Sequence, residues 1–437
     1  MPLLSQSLES STEIKNQREW RLLFSKPVFQ VVGGLLVAAF GPAYYRIWAT
    51  EVTFRDEWLN TTLLVVSAVI LLSYVTFTNL SKFPNATEGS FIFITVAIWY
   101  SFGAFVLLFS RVNYSGYLFL TSFVISIIWF YFIYFWTLQS RKPKFAVIPG
   151  GEVDRLVSLP GVGWSVLKEP RINGDVFSGV VADLRTDFTP EWERFLTDVS
   201  LAGIPVFHCK QAYEVLTGRV EIEHLSENTF GSLIPGLAYV GGKKVLDFVL
   251  ALVLIPILSP FFLMIALAIR WDSPGPVLFR QERVGYRGNT FTVYKFRTMK
   301  YEPDRAEAET EPHKVTTVDD DDRVTRVGRW LRIKRLDEFA QMINILRGEM
   351  SFIGPRPEAV ALSRWYQREL PFYLYRHVVR PGISGWAQIN QGHVTDVDLV
   401  LGKLHYDFYY IKNFSPWLDV LITLKTLGIM ARGIGAR

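Results

Sequence analysis

Four apolar segments follow one another in the first third of the chain, and they constrain the fold more than any other feature. They run from Val28 to Trp48, Leu59 to Leu80, Ser90 to Ser110 and Tyr117 to Trp136. Each is close to the ~20 residues that an α-helix needs to cross the hydrocarbon core of a bilayer. Aromatic residues suited to the membrane interface lie near their ends: Tyr44, Tyr45, Trp48, Trp58 and Trp136. We therefore predict a bundle of four transmembrane helices within residues 27–140.

Basic residues on both sides of this bundle predict its orientation. Residues 1–26 are polar and basic and contain no apolar core with a cleavage site, which predicts an uncleaved cytoplasmic leader. The cluster Arg141, Lys142 and Lys144 follows the last segment, so the positive-inside rule places both ends of the bundle in the cytoplasm. The single cysteine, Cys209, excludes an internal disulfide framework. A net charge of +5 does not by itself indicate a nucleic-acid partner.

Residues 144–236 have a different hydropathy pattern, with short apolar runs separated by turns. Phe145–Ile148, Val180–Leu184 and Pro205–His208 predict strands, and Glu191–Ala202 predicts a helix. These elements indicate a small cytoplasmic α/β domain of Rossmann-like type. Gly150-Gly151 lacks the G-x-G-x-x-G spacing of a dinucleotide site, and His208 beside Cys209 is too small a set for a metal. A spacer or a self-association surface, which would give a homo-oligomer, is the favoured role.

A second long apolar run, Val245 to Ile269, lies within residues 242–270. Its length alone would allow a fifth spanning helix. Pro256 and Ser259-Pro260 interrupt it, and proline removes a backbone donor and bends a helix. Basic residues flank both ends, so a spanning helix would place one cluster on the wrong side. We predict a re-entrant helix that turns at Ser259-Pro260 and returns to the cytoplasmic side.

The stretch Leu331–Glu358, LRIKRLDEFAQMINILRGEMSFIGPRPE, contains the adjacent acids Asp337 and Glu338. Apolar residues at helical spacing predict one helix that closes near Gly348. On such a helix Asp337 shares a side with Gln341 and Asn344, while Glu338 points elsewhere. The alternative is that Asp337 and Glu338 are solvated and pair with the preceding basic residues on the helix surface. The stiff turn Gly354-Pro355-Arg356-Pro357 favours a functional site, because it fixes the backbone around one arginine.

Other polar residues of the last third are candidates for binding an anionic substrate. Strand alternation in Phe291–Met299 puts Lys295 and Arg297 on one face, as a diphosphate site needs, although a solvated face is the alternative. The loop Arg380–Asn390 offers Gln388 and Asn390 for a base, sugar or phosphate, unless it is a plain structural turn. The acidic run Asp319–Asp322 is predicted to belong to a mobile loop over the active site. Trp417–Met430 predicts a helix at the membrane surface.

Carboxylates beside cations suit chemistry at a phosphorus centre. The cations neutralise phosphate oxygens, and a carboxylate can act as a nucleophile that divides one displacement into two. A second carboxylate suits Mg²⁺. The motifs of phosphate-loop ATPases, zincins and serine hydrolases are absent from the sequence.

The last part of the chain, about Lys243 to Arg437, resembles the bacterial sugar transferase family, the polyprenol-phosphate phosphoglycosyl transferases. Together with the preceding bundle and α/β domain, it is similar to the long form, the undecaprenyl-phosphate hexose phosphotransferases. The motifs that carry the resemblance are Lys243-Lys244-Val245-Leu246-Asp247, Ser259-Pro260, Tyr294-Lys295-Phe296-Arg297, Leu336-Asp337-Glu338, Arg347-Gly348-Glu349-Met350-Ser351, Gly354-Pro355-Arg356-Pro357 and Trp386-Ala387-Gln388-Ile389-Asn390.

The resemblance implies that residues 271–437 are a monotopic catalytic domain at the cytoplasmic face of the bacterial inner membrane. Asp337 would attack the β-phosphate of a UDP-hexose and release UMP, and undecaprenyl phosphate would then accept the phosphosugar. This reaction begins the assembly of exopolysaccharide, capsule or O-antigen. Glu338 would hold Mg²⁺. By the same resemblance, Lys295 and Arg356 would contact phosphates, and Gln388 and Asn390 would help to shape the donor site. Asp407 would have a less defined role.

Two departures from the family pattern lie beside the acidic pair. Ala340 stands where a proline is common, and Phe339 replaces a leucine, so the local helix geometry is in question more than the activity. Two rival functions stay open at this point. A membrane-attached glycosyltransferase would release UDP and need no aspartyl phosphate, and a non-catalytic scaffold of an assembly complex would not need the acids and cations at all.

Overall fold

The computed structural model of the protein describes residues 26–50, 53–84, 89–138, 144–172, 177–222, 237–301, 323–392 and 397–432. Contacts divide the chain into two compact units, Met1–Leu216 and Thr217–Arg437. The first unit contains the four apolar segments and the small α/β domain. The second contains the long apolar run and the acidic pair.

Each of the four apolar segments forms a helix. The helices are α1 (Pro27–Ala49), α2 (Glu57–Leu80), α3 (Ser90–Phe109) and α4 (Gly116–Leu138). Their shared core is apolar, and many of their outward side chains are apolar as well, which is expected of helices surrounded by lipid. Helix α1 approaches α4 closely at Gly33, where a Cβ would overlap the Trp129 ring. The indole of Trp129 donates to the Gln30 carbonyl over 3.1 Å.

The small domain is built on a parallel sheet with the strand order β2-β1-β3-β4. All three predicted strands are present, whereas β2 was not predicted because its residues are only partly buried and form no continuous apolar run. Asp183, at the end of β3, accepts hydrogen bonds from the backbone N–H groups of Glu152 and Arg185. The elements are β1 (Lys144–Val147), α5 (Asp154–Val157), β2 (Gly163–Val166), β3 (Gly179–Ala182), α6 (Pro190–Leu201), β4 (Val206–His208) and α7 (Cys209–Thr217).

The second long apolar run forms one continuous helix, α8, from Leu237 to Asp272. No non-helical residue interrupts α8 at Pro256 or Pro260, and the predicted turn at Ser259-Pro260 stays a prediction. The local chemistry explains the continuity. Pro260 has no N–H to donate to the Pro256 carbonyl one turn earlier, and the Ser259 hydroxyl donates to that carbonyl instead, over 2.8 Å.

Both ends of α8 are attached to the same domain. Near its start, Lys243 pairs with Asp419 at 2.5 Å and Asp247 accepts a hydrogen bond from Ser351. Near its end, Ile265 and Ile269 pack in a core cluster with residues of the domain, including Phe296 and Leu331. The middle of the helix is apolar and exposed, as at Ile257, Leu263 and Met264.

The rest of the second unit is a mixed α/β domain. Its antiparallel hairpin pairs β5 with β6, so that Phe279 lies opposite Lys295, and a second pair, β7 and β8, is parallel. The elements are β5 (Leu278–Val284), β6 (Thr290–Phe296), α9 (Arg326–Ile333), α10 (Met342–Leu346), β7 (Ser351–Ile353), α11 (Val360–Glu369), β8 (Gly382–Ser384), α12 (Trp386–Asn390), α13 (Val397–Lys412) and α14 (Pro416–Arg432).

Helix α9 packs through a glycine against the residues that follow β6. Thr325 caps α9 with its side-chain oxygen, which accepts the N–H of Gly328, and a Cβ at Gly328 would overlap the Thr298 carbonyl. Gly328→Ala should therefore lower the free energy of unfolding by about 2 kcal/mol or more. Thermal unfolding of the detergent-solubilised protein measures the effect.

Gly428→Ala provides the matched control, because Gly428 lies within α14 and a Cβ there would meet nothing within 4 Å. That variant should be neutral or slightly stabilised, since alanine favours helix more than glycine does. Equal unfolding temperatures for the two variants would contradict the described contact.

Candidate active site

The acidic pair lies just after a sharp change of chain direction. Helix α9 ends at Ile333, Arg335 adopts a left-handed conformation with φ of 53°, and a 3-10 helix runs from Leu336 to Gln341. The predicted helix that closes near Gly348 is present only from Leu336 onward and in two parts, a 3-10 helix followed by α10, because the left-handed Arg335 separates it from α9. Asp337 and Glu338 instead occupy the first turn of the 3-10 helix.

Asn344, which the helix prediction placed on the same side as Asp337, makes its hydrogen bonds to strand β6 and to Glu349. Its amide donates to the Thr292 carbonyl and to Glu349, and its side-chain oxygen accepts the N–H of Tyr294. Asn344 thus attaches α10 to strand β6. This contact keeps β6, which carries Lys295, beside the acidic pair.

Glu338 is a buried carboxylate held by two cations. Its Oε1 accepts a hydrogen bond from Arg356 Nη1 at 2.7 Å and lies 3.6 Å from Lys295 Nζ. Burial alone would raise the pKa of Glu338, but Arg356 and then Lys295 outweigh it and lower this pKa to about 2. Glu338 is therefore ionised across the physiological range.

Asp337 has the opposite electrostatic environment, although it is the next residue. Burial raises the pKa of Asp337 to about 6, and the neighbouring Glu338 carboxylate adds to the effect. Lys295, Arg356 and Arg332 oppose this shift but do not cancel it. The two acids thus differ in proton affinity, and Asp337 is the less stabilised anion.

Lys295 is the second cation of the site and lies near the end of strand β6. Burial lowers the pKa of Lys295 to about 8, and the positive charge of Arg356 contributes in the same direction. A carboxylate pair and two enclosed cations therefore share one site, and all four are close enough to perturb one another. Such a combination is typical of sites that act on phosphate esters.

The backbone of Arg356 is fixed by a layer of buried ion pairs. Arg376 Nη2 donates to the Arg356 carbonyl over 2.8 Å and also contacts the Asp407 carboxylate at 2.8 Å. Glu358, two residues after Arg356, pairs with Lys403. Burial would raise the pKa of Glu358, but Lys403 and Arg376 lower it, so this carboxylate stays ionised. These contacts position the arginine that holds Glu338.

Comparison with known proteins adds independent information on this region. The sequence model described as bacterial sugar transferase matches residues 238–433. A UDP-N-acetylgalactosamine-undecaprenyl-phosphate N-acetylgalactosaminephosphotransferase from Aeromonas hydrophila is 42% identical over 419 residues, which cover 95% of this chain and 97% of that protein. This chain belongs to the bacterial sugar transferase family.

Two shorter matches each cover less than half of the chain. UDP-glucose:undecaprenyl-phosphate glucose-1-phosphate transferases from Escherichia coli K12 and Caulobacter vibrioides are each 42% identical. The first match covers 42% of this chain and 39% of that protein, and the second covers 45% and 72%. The family resemblance read from the motifs is confirmed. The described part of the chain has five helices that are long and apolar enough to cross a membrane, so this sugar transferase is a membrane protein.

Arg297 does not share the site with Lys295, contrary to the prediction. It is buried, and its guanidinium donates to the carbonyl oxygens of Ser273 and Pro274 and to the Ser273 hydroxyl. These acceptors lie just beyond the end of α8, where helical carbonyl groups need partners. Arg297 therefore secures the exit of the membrane helix in this sugar transferase.

Asp407 is likewise a buried structural partner and not an exposed substrate contact. Only 1% of its surface is accessible, and Arg376 donates to its Oδ2. Burial raises the pKa of Asp407, while Arg376 and Lys403 act against this shift. The predicted substrate role is corrected to a positioning role, because Asp407 acts on Arg356 through Arg376.

Gln388 and Asn390 lie in the short helix α12 and make local hydrogen bonds. The Gln388 amide donates to the Ile383 carbonyl, and the Asn390 amide donates to the Trp386 carbonyl. Gln388 Oε1 is buried and has no hydrogen-bond partner within the described part of the chain. Their assignment to the donor site stays a prediction, as does the loop with Asp319–Asp322, which lies outside the described residues.

Sequence reasoning missed the buried layer behind Arg356. Arg376 is 31 residues from Asp407 along the chain, and Lys403 is 45 residues from Glu358, so these pairings depend on the fold. Glu358 directly follows the Gly354-Pro355-Arg356-Pro357 turn, which was the one available signal. Arg283 was also missed as a neighbour, although its Nη1 donates to the Pro357 carbonyl.

The different environments of the two acids predict opposite effects on stability. A raised pKa means that the folded state holds the Asp337 proton more tightly than the unfolded chain does. The resulting contribution to stability is fully present below about pH 4 and is lost as the pH rises through about 6. Asp337→Asn should therefore stabilise the protein at pH 8, by at most about 3 kcal/mol at 1.36 kcal/mol per pKa unit, and have no effect near pH 4. Thermal unfolding from pH 4 to pH 8 tests this.

Glu338→Gln is the matched comparison with the opposite sign. The lowered pKa of Glu338 contributes stability above about pH 4.5 that is lost as pH falls through about 2. Its replacement leaves Arg356 and Lys295 without a carboxylate partner and should destabilise the protein at pH 8. Destabilisation by Asp337→Asn at that pH would contradict the described electrostatics.

Proposed function

We propose that this sugar transferase moves a sugar 1-phosphate from a UDP-sugar to undecaprenyl phosphate, the priming step of polysaccharide assembly. The observation that carries the proposal is the acidic pair, in which a fully ionised Glu338 lies beside an Asp337 of raised pKa with two cations around them. The names of the relatives from Aeromonas hydrophila and Escherichia coli support the substrate class.

Asp337 is the nucleophile in this proposal. One of its carboxylate oxygens bonds to the β-phosphorus of the donor, and the bond from that phosphorus to the oxygen bridging the two phosphates breaks. UMP leaves with the electron pair, and the sugar phosphate stays on the aspartate. An oxygen of undecaprenyl phosphate then bonds to the same phosphorus, and the bond to Asp337 breaks. A weakly stabilised carboxylate is the more reactive nucleophile, which is consistent with the raised pKa of Asp337.

Lys295 and Arg356 neutralise phosphate oxygens during both displacements. Arginine has five N–H donors in a planar fork, so Arg356 can hold Glu338 with one and present others to a phosphate. Lys295 is partly desolvated, which strengthens its interaction with an anion. Both cations are in place before substrate binds, and such preorganisation is a major source of catalysis.

The residues of the acidic pair fit a divalent cation. Two carboxylates close enough to raise the pKa of one of them would be stabilised by added positive charge, and Mg²⁺ prefers carboxylate oxygens. Glu338 would hold the ion, with Asp337 as the neighbouring carboxylate. Bound there, Mg²⁺ would shield the charge of the donor diphosphate.

The donor sugar is proposed from the share of this chain that each relative matches. The relative that matches nearly the whole chain is named for UDP-N-acetylgalactosamine, whereas the UDP-glucose transferases named above match less than half of it. UDP-N-acetylgalactosamine is therefore the first donor to test, followed by UDP-glucose. A panel of UDP-sugars with undecaprenyl phosphate decides between them.

In the proposed membrane topology, α1 to α4 span the cytoplasmic membrane and α8 enters it from the cytoplasmic side without crossing. The contacts of both α8 ends with one domain support this arrangement, because a spanning helix would place those ends on opposite faces. The exposed apolar middle of α8 would then lie in lipid. The small α/β domain, proposed as Rossmann-like, would serve as a cytoplasmic spacer or self-association surface.

Asp337→Asn should abolish the covalent intermediate and lower transfer by roughly 10³-fold or more, because an amide cannot replace the nucleophile. The measurement uses a donor labelled at its β-phosphate, followed by denaturation and counting of protein-bound label. Glu369→Gln, an exposed acid at the end of α11, is the control and should retain full labelling. Labelled Asp337→Asn protein would refute the nucleophile assignment.

The proposed topology predicts equal accessibility for the two ends of α8. In a Cys209→Ser background, Gly241→Cys and Trp271→Cys should both react with a membrane-impermeant maleimide from the cytoplasmic side, because both positions are exposed. Asn113→Cys, between α3 and α4, should react only from the opposite side. Reaction of Gly241→Cys and Trp271→Cys from different sides would show that α8 spans.

A further inference from the structure

A cavity of about 470 Å³ lies beside the first third of α8. Its lining combines three cations, Lys244, Arg347 and Arg380, with the apolar side chains of Val245, Phe248 and Leu346. We propose that this cavity binds the phosphodiester headgroup of an anionic membrane phospholipid, with the start of an acyl chain against its apolar wall. The proposal uses the membrane placement of α8 given above and does not use the transfer chemistry.

The three cations converge around the Gly348 turn. Gly348 has a left-handed φ of 74°, and its carbonyl accepts a hydrogen bond from Arg380 Nε at 3.0 Å. The Lys244 side chain passes over the same glycine, with its Cε 3.9 Å from the position that a Cβ of Gly348 would take. Residues distant in sequence thus bring their charges to one cavity.

Aromatic rings hold the two guanidinium groups in place. Arg347 lies 5.0 Å from the centre of the Tyr294 ring and donates to its hydroxyl, and Arg380 lies 5.2 Å from the centre of the Tyr286 ring. Guanidinium groups that are fixed before binding lose little conformational freedom when they bind a phosphate. Arg347 and Arg380 therefore form a prepared anion site.

The described residues leave the cavity with a net positive charge. Within the described residues, none of the three cations has a carboxylate within ion-pair distance. One acid, Asp247, also lines the cavity, but it accepts the Ser351 hydroxyl at 2.6 Å and lies 3.8 Å from Lys243. The net positive charge that remains matches an anion that carries a phosphate.

The apolar wall identifies the anion as part of a lipid. Val245 and Phe248 are large apolar residues with exposed side chains at the beginning of the helix placed in the membrane. Cations beside such a helix lie at the depth of lipid headgroups, where they attract anionic lipids. A free phosphate would use the cations but would leave the apolar wall without a partner.

The cavity is distinct from the active site. Its lining includes none of Asp337, Glu338, Lys295 and Arg356. A lipid held there is therefore not presented to the nucleophile, which favours an ordinary phospholipid over the polyprenyl acceptor. Such a lipid would fasten the start of α8 and the Gly348 turn to the membrane surface.

The test measures lipid retention by the full-length protein in detergent, using native mass spectrometry with added phosphatidylglycerol. The double variant Lys244→Gln, Arg347→Gln should retain one phosphatidylglycerol fewer and bind it about tenfold more weakly or worse, because it loses two charge-assisted contacts. The matched control is Arg364→Gln, Arg368→Gln, which removes two exposed cations from α11 and should retain lipid normally.

Further measurements distinguish a phospholipid from other phosphate-bearing ligands and control for misfolding. Lys244→Arg keeps the charge and should retain the lipid, and the thermal unfolding of every variant is recorded. Undecaprenyl phosphate and inorganic phosphate are added as competitors, and neither should displace the retained phosphatidylglycerol at equal concentration. Normal retention by a folded double variant, or displacement by either competitor, would overturn the proposal.

Discussion

The ion pair between Glu338 and Arg356 is the interaction on which the active site depends. A carboxylate in a buried position is costly unless a cation and hydrogen bonds compensate it, and Arg356 supplies both at 2.7 Å. Several surrounding contacts hold this arginine in position. The Gly354-Pro355-Arg356-Pro357 turn fixes its neighbours, and Arg376 binds its carbonyl while pairing with Asp407. The acidic pair is thus held by a buried framework.

The ion pair also makes the two adjacent acids chemically different. Arg356 and Lys295 stabilise Glu338 as an anion, and the resulting negative charge, together with burial, disfavours the ionised form of Asp337. The proposed mechanism uses this difference, because it gives Glu338 a permanent charge and a metal-binding role and makes Asp337 the nucleophile. The left-handed Arg335 contributes because it starts the 3-10 helix that turns both acids toward the cations.

Sequence reasoning predicted the elements whose signals are local. The four apolar helices, three of the four strands of the small domain and the proximity of Lys295, Arg356 and the acidic pair follow from hydropathy, alternation and motif. It failed where long-range contacts decide the outcome. Strand alternation could not show that Arg297 turns to the carbonyl groups after α8, and the prolines of α8 did not reveal that the Ser259 hydroxyl keeps the helix continuous. Asp407 looked like a substrate contact because its partner, Arg376, is distant in sequence.

The central claim is that Asp337 forms a bond to the β-phosphorus of a UDP-sugar, and the nucleotide that leaves reports on it most directly. Purified protein is incubated with UDP-N-acetylgalactosamine, undecaprenyl phosphate and Mg²⁺, and the nucleotide products are separated by chromatography. The account predicts UMP, in an amount equal to the lipid-linked sugar phosphate formed. Release of UDP in its place would mean that the sugar moves without its phosphate, and it would contradict the role given to the acidic pair.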